Sequence, residues 1–267
     1  MVCISCVKEV IPLRDYVNFL KRKYKDHILY TGKDYSIAIL QVGENEASNR
    51  YVRNKIKDCE EVGIRAHHYW YTEDISEEEL IGEIRDLQDF YDAIMVQLPL
   101  PPHINKKNVL DEIDVGKDVD GLTAGSKFVP ATPLGIKNYL LDNGYADLSG
   151  KSAVVIGRSD LVGKPMAQLL IDMNATVTVC HSKTGELIED YIKNADIIVC
   201  AVGKPGFLES KKCKDSAMIF DVGINFVDGK MVGDVINNGQ CWVSPVPGGV
   251  GLLTRCALLE NILKAKK

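Results

Sequence analysis

The chain has 267 residues, of which 46% are apolar and 26% charged, and its formal net charge is −5. That length holds two domains, or one large one, with real cores. The acidic balance and the lack of any long basic run exclude nucleic-acid binding by bulk attraction, and no stretch of about 18 apolar residues is available to span a membrane. The opening "MVCISCVKEV" carries charges where a signal peptide needs its apolar centre, so a soluble, cytoplasmic protein is expected. Eight cysteines are scattered along the chain, several within apolar runs such as "VTVC" and "IIVC". They read as small buried hydrophobes in a reducing compartment. Cys3 and Cys6 have the spacing of half a metal site, but no second pair follows, and no metal is assigned.

In chain order, "YSIAILQVG" reads as an apolar strand and "ASNRYVRNKIKDCEEVGI" as a helix. In that helix Val52, Ile56, Cys59 and Val62 form the apolar stripe, Ser48 is a candidate cap and Gly63 closes the end. Tyr51 and Lys55 lie one turn apart on another face, a phenol beside an ammonium. "SEEELIGEIRDL" opens with a capping box, Ser76 and Glu79. The buried strand "DAIMVQL" follows, and then "PLPPHINKKNVLDEIDVGKDVDG", whose prolines and glycines predict a functional loop with one short helix. "ATPLGIKNYLLDNG" begins with Thr132 as a cap and Pro133 at the first helical position, and stops at Asn143-Gly144.

From Gly150 the pattern tightens to alternating short strands and helices: "KSAVVIG", "GKPMAQLLIDM", "ATVTVC", "TGELIEDYIKNA", "DIIVCAVG" and "SAMIFDVGI". Such β-branched strands joined by helices predict a Rossmann-like, doubly wound parallel sheet, and the whole chain an α/β protein of two domains. The first domain is expected over residues 1–140, joined by a terminal helix over 252–267, and the nucleotide domain over 141–251.

The turn "VVIGRSDLVGKP" is similar to a dinucleotide fingerprint, with Gly157 and Gly163 in the outer places and Ser159 where a middle glycine is usual. After the second strand, "VTVCHSKT" has no acid until Glu186, whereas sites for NAD place Asp or Glu there. Arg158, Ser182 and Lys183 can instead receive a 2′-phosphate, which favours NADP over NAD; His181 reads as a strand-end residue near the adenosine. In "DVGINF" and "SPVPGGVG", Gly223, Gly248, Gly249 and Gly251 permit close backbone approach to a ligand or unusual φ values.

Taken together, "ASNRYVRNKIKDCEEVGI", "VQLPLPPHI", "KDVDGL", "ATPLGI", "VVIGRSDLVGKPMAQLL", "ADIIVCAVGKPGF", "DVGIN" and "SPVPGGVG" closely resemble the bifunctional methylenetetrahydrofolate dehydrogenase/methenyltetrahydrofolate cyclohydrolase family. The resemblance covers most of the chain from Ala47 to Gly251. It departs at the opening, which lacks a D-G-K-like segment, and at Leu252 and Leu253, where Pro-Met is usual; Arg255 is also atypical. The resemblance implies that Lys55 is the central acid/base group, that Tyr51 lies against the folate, that Gln97 tunes the lysine and that Asp120 binds the pterin, with Asp118 structural. Val96, Leu98, Pro247, Gly248, Gly249 and Gly251 would complete the folate side, and Gly157, Arg158, Ser159, Ser182 and Ile224 the cofactor side, across a cleft between the domains.

The expected activity is NADP-dependent oxidation of 5,10-methylenetetrahydrofolate and hydrolysis of the methenyl product to 10-formyltetrahydrofolate, in one-carbon metabolism and purine biosynthesis. A homodimer is also implied. The alternatives are a monofunctional or NAD-dependent dehydrogenase, or a non-catalytic folate- or nucleotide-binding module on the same fold.

Overall fold

The structure is a computed structural model that describes residues 10–266. The described residues divide into two compact units, one formed by residues 18–131 and 255–266, the other by residues 10–17 and 132–254. Cys3 and Cys6 lie outside the described residues.

The 18–131 unit is built from helix α1 (Leu13–Thr31), strand β1 (Ser36–Val42), helix α2 (Glu46–Val62), strand β2 (Arg65–Tyr71), helix α3 (Glu77–Gln88), strand β3 (Ala93–Val96) and the short helix α4 (Lys106–Asp111). The strands form one parallel sheet in the order β2-β1-β3. The central strand β1 and β3 are buried at every position, as continuous apolar runs require when both faces of a sheet are covered. β2, at the sheet edge, alternates exposed and half-buried residues.

Two local details differ from expectation. The cap of α2 is Asn45, whose side chain accepts from the Ser48 amide at 3.0 Å, while Ser48 is buried within the first turn. Asn caps as well as Ser does, and starting the helix earlier places Glu46 in the first turn, where the helix dipole favours an acid. The inward face of α2 is also different. Val52, Lys55, Cys59 and Val62 are all buried, whereas Ile56 is only partly covered, so the lysine belongs to the core stripe and not to a separate face.

The other unit holds helix α5 (Ala131–Asp142), strand β4 (Ser152–Ile156), helix α6 (Gly163–Asp172), strand β5 (Thr176–Cys180), helix α7 (Leu187–Lys193), and strands β6 (Ile197–Cys200), β7 (Leu208–Glu209), β8 (Met218–Asp221), β9 (Asn225–Val227), β10 (Lys230–Val232), β11 (Val235–Ile236) and β12 (Trp242–Val243). Helix α8 (Val250–Ala265) follows and runs from this unit into the other. Its main sheet is parallel, in the order β12-β8-β6-β4-β5, the doubly wound arrangement expected. β12 is a fifth strand that the sequence pattern conceals, two residues beside an aromatic cluster of Tyr139, Phe220 and Trp242. β9 and β10 form an antiparallel hairpin turned by Asp228 and Gly229, both at positive φ, a two-residue turn of the type an Asp-Gly pair favours.

Helix α5 starts two residues before expectation, so Thr132 lies within its first turn and shares a hydroxyl hydrogen bond with Thr254 at 3.0 Å. α8 likewise starts at Val250, two residues early. Leu253 in α8 is buried, and a Cβ on Gly135 would stand 2.6 Å from its backbone. The glycine in "PLG" is thus a packing requirement.

At α3 the capping box is formed in full: the Ser76 hydroxyl accepts from the Glu79 amide at 3.2 Å, and the Glu79 carboxylate accepts from the Ser76 amide at 2.9 Å. Replacing Ser76→Ala is expected to lower unfolding stability by about 1 kcal/mol, read as a reduced urea midpoint at unchanged slope.

Candidate active site

Lys55 is one of the few buried polar residues of the 18–131 unit. The core stripe of α2 carries the amine to the end of β3, where Lys55 Nζ donates to Gln97 Oε1 at 3.1 Å and to the Met95 thioether sulfur at 3.2 Å. Gln97 is held at both ends: its backbone amide donates to Leu40 O at 2.8 Å, and its Nε2 donates to Leu98 O at 2.7 Å. That second bond leaves Oε1 as the face turned to the amine.

Burial disfavours the ammonium and lowers the Lys55 pKa below that of an ordinary lysine, against the opposing pull of the Asp120 carboxylate. Burial likewise pushes the Asp120 carboxyl up, with the Lys55 charge working the other way and Asp118 adding to the rise. Beneath the amine, burial drives the Cys59 thiol up to about 12, keeping it an inert neutral neighbour. Neither Gln97 nor Met95 brings a charge. The pair can therefore hold Lys55 in place without stabilising its protonated form as a carboxylate would.

Asp120 is placed by its loop. Lys117 O accepts from Ile94 N at 2.9 Å, and Asp118 bridges Ile94 in parallel register, so the loop runs beside β3. Asp118 is buried and accepts from the amides of Gly121, Leu122 and Thr123 and from the Thr123 hydroxyl, at 2.7 to 3.1 Å. Asn261 of α8, also buried, donates to Val119 O at 2.8 Å and to Val129 O at 3.1 Å. Gly121 is required by its φ of 72° and by the Phe128 and Pro130 backbone against which a Cβ would press. Met95 and Asn261 are contributors that sequence reasoning missed. Met95 looks like any core residue of a strand, and Asn261 lies in a helix otherwise read only as a terminal packing element.

Tyr51 is half-buried on α2, one turn before Lys55. Burial raises its phenol, while Arg255 and Arg50 oppose the rise. Arg255, atypical in sequence, has a structural partner: its Nη1 is 3.0 Å from the buried Asp58 carboxylate, which Lys21 also pairs at 2.6 Å. Val96 is buried and Leu98 half-buried at the end of β3.

In the other unit the dinucleotide-type turn follows β4. Gly157 has a φ of 130°, and a Cβ there would stand 2.5 Å from Ala201 O; a Cβ on Gly163 would stand 2.3 Å from Gly157 O. Both positions admit only glycine. Ser159 replaces the middle glycine with a hydroxyl that accepts from the Val162 and Gly163 amides at 3.2 and 3.4 Å, closing a turn one residue longer than usual. Arg158, Ser182 and Lys183 are exposed, as is Ile224 after β8. The residues after β5 form a tight turn, with the Lys183 amide donating to His181 Nδ1 at 3.2 Å.

Pro247 to Gly251 precede and open α8. Gly248 adopts φ of 97° with open space beside it, and a Cβ on Gly249 would stand 2.2 Å from Pro245 O. Gly223 has a different explanation from the ligand approach expected: a Cβ there would stand 2.2 Å from the Asp234 carboxylate. Among the described residues, no group of three His, Cys, Asp or Glu is placed to hold a metal ion.

A Rossmann-type unit with a glycine turn after its first strand, together with a unit that buries a lysine, is the arrangement of a nucleotide-dependent enzyme class, and the comparisons with known proteins agree. Residues 14–120 match the model of the tetrahydrofolate dehydrogenase/cyclohydrolase catalytic domain, and residues 130–267 that of the same family's NAD(P)-binding domain. The chain is 46% identical over 247 residues to the bifunctional protein FolD of Campylobacter hominis, covering 86% of each chain. It is similar to the crystal structure of the Campylobacter jejuni bifunctional enzyme FolD, with a TM-score of 0.88 and 39% identity over 95% of this chain and 96% of that one. The FolD structure from Trypanosoma brucei, complexed with NADP cofactor and inhibitor, gives a TM-score of 0.88 at 31% identity, with 96% of each chain covered. The chain belongs to the tetrahydrofolate dehydrogenase/cyclohydrolase family.

Placing a carboxylate against the amine tests the neutral cradle. In Gln97→Glu, the added charge favours the ammonium, so the acid limb of any Lys55-dependent rate is expected to move to higher pH by at least about one pH unit. A pH–rate profile of cyclohydrolase turnover reads the move, and an unmoved limb would remove Lys55 as the titrating base.

Proposed function

We propose that the protein oxidises 5,10-methylenetetrahydrofolate with NADP and hydrolyses the 5,10-methenyl product to 10-formyltetrahydrofolate. The observation that carries the hydrolytic half is the buried Lys55 amine, bonded to Gln97 at 3.1 Å and, among the described residues, to no carboxylate. The methenyl carbon is electrophilic, and water adding to it must lose a proton as the new carbon–oxygen bond forms. Lys55, in its unprotonated form, takes that proton. It then returns a proton to the folate N5 as the carbon–N5 bond breaks, while the adduct's hydroxyl gives its proton to solvent and becomes the carbonyl, leaving the formyl group on N10. Tyr51 packs against the folate, with Val96 and Leu98 beside it, and Asp120 accepts from donors of the pterin ring. Pro247, Gly248, Gly249 and Gly251 are assigned to the folate as well.

NADP, when bound, supplies the hydride acceptor. The fit of the chain to it rests on Gly157 and Gly163, whose missing side chains let the turn backbone close on the start of α6. Ser159 holds that turn, and Ile224 offers an exposed apolar side chain at the same sheet edge. Arg158 and Ser182 are assigned to the 2′-phosphate, since no acid occupies the end of β5 to repel it. For oxidation the residues need only hold the folate carbon near the acceptor and exclude water.

The resemblance also implies a homodimer working in the cytoplasm, its product feeding formyl transfer in purine biosynthesis. No described helix is long and apolar enough to cross a membrane.

The deciding assay supplies methylenetetrahydrofolate with NADP or NAD and follows methenyl and 10-formyl products separately. NADP-dependent oxidation followed by catalysed hydrolysis is expected, and oxidation that stops at methenyl would leave only the dehydrogenase. Lys55→Met should lower cyclohydrolase turnover by about 10²- to 10⁴-fold. Arg158→Ala should weaken NADP by about tenfold or more while changing NAD little. Equal losses with both cofactors would remove the 2′-phosphate contact.

A further inference from the structure

Two buried carboxylates lie at the carboxyl edge of the five-stranded sheet, and the chemistry above uses neither. Asp221 ends β8 and Asp234 precedes β11; they are 3% and 0% exposed. Asp234 accepts from the backbone amides of Val202, Gly203 and Lys204 at 2.7, 2.8 and 2.9 Å and from Asn225 Nδ2 at 2.9 Å. Asp221 accepts from the amides of Gly223, Asp234 and Val235 at 2.9 to 3.0 Å. The two are interlocked through glycines. A Cβ on Gly223, just after β8, would strike the Asp234 carboxylate at 2.2 Å, and a Cβ on Gly233 would strike the Asp221 carboxylate at 1.9 Å. "DVGIN" and "VGDVI" are thus two halves of one device, each supplying a carboxylate and the glycine that makes room for the other's.

The loops it fastens have a particular position. Ile156, Cys200 and Asp221 are in register across β4, β6 and β8, so residues 201–204 and 222–225 emerge beside the Gly157 turn at the edge where open α/β sheets bind ligands. Across the order β8-β6-β4-β5, the ribose and phosphate assignments fall at β5 and β4. The opposite half of a dinucleotide extends towards β6 and β8. We infer that Asp221 and Asp234 are positioning residues for the cofactor, holding the loop after β6 and the loop after β8, which carries Ile224, in the shape that receives the nicotinamide half of NADP. This rests on the NADP reading of the same edge.

The chemistry of the device favours carboxylates over amides. All four groups facing Asp234 are donors, so an asparagine there must turn its own NH₂ toward a donor and leave at least one backbone amide without an acceptor. The amides then have reason to move, and the loop with them.

The test uses the full chain and reads two reactions separately, because the cyclohydrolase needs no NADP and its Lys55 centre lies in the other unit. In Asp234→Asn, the Kd for NADP, titrated directly, and its KM in the dehydrogenase assay are expected to rise about tenfold, with cyclohydrolase kcat and KM for methenyltetrahydrofolate unchanged. Asn225→Asp, at a partly exposed position, sets a third carboxylate against Asp234 and should weaken NADP in the same selective way. It provides the readout if Asp234→Asn does not fold. Unchanged NADP affinity in the variant that folds would overturn the inference. So would a parallel loss of both activities, since that would make the carboxylates a general stabiliser. A wild type that binds no NADP would instead remove the underlying cofactor assignment, and is distinguished by being measured first.

Discussion

The burial of one lysine among apolar neighbours is the constraint on which the catalytic unit depends. Val52, Cys59 and Val62 are at most 1% exposed, and sheltering each branched side chain contributes about 1.5–3 kcal/mol. Lys55 lies on the same stripe and is carried inward with them. Keeping a lysine neutral at pH 7 costs no more than about 4.6 kcal/mol, the distance from an ordinary pKa near 10.4. The apolar stripe can therefore offset the cost, and what results is an amine whose proton is loosely held. The lowered basicity is a consequence of burial rather than of a neighbouring positive charge.

That packing also explains what was legible in the sequence. The period of α2, the Ser76 capping box and the alternating strands and helices after Gly150 all emerge from local rules, because each depends on neighbours within a few residues. The face of Lys55 did not. A periodicity argument sorts residues by hydrophobicity, so it gave Ile56 the inward place and sent the lysine outward. The competition between 55 and 56 is decided by what lies across the interface, where Gln97 and Met95 offer acceptors to an amine at the end of β3. That information is some 40 residues away in the chain.

The same distance hides the site's supports. Asn261 holds the Asp120 loop from 132 to 142 residues away, and Asp234 reaches Val202 across 32. Gly223 illustrates the limit well. A glycine beside a strand end in a nucleotide-binding unit suggests room for a ligand, yet here the room is taken by the Asp234 side chain. Gly163 answers to a local demand, since a Cβ there would meet the Gly157 backbone, whereas Gly157 is confined by Ala201 after β6. The short strands β7, β11 and β12 carry too few residues for any pattern to register.

Buried charge is treated in two opposite ways, one of them shared by both units and the other seen at Lys55. Asp118 and Asp234 are each met by four donors, the usual condition under which a buried carboxylate is tolerated. Even Asp221, whose carboxyl burial pushes up, has three amides pulling the other way. Such groups are fastened, and their bonds convert a flexible loop into a fixed surface. Lys55 has three donors and is given one amide oxygen and a weak thioether acceptor. An amine so thinly solvated by the protein gains more from a water or a substrate atom than a saturated one would. Saturated polar burial thus fixes loops in place, and the sparse acceptors around Lys55 leave its amine with unspent hydrogen-bonding capacity.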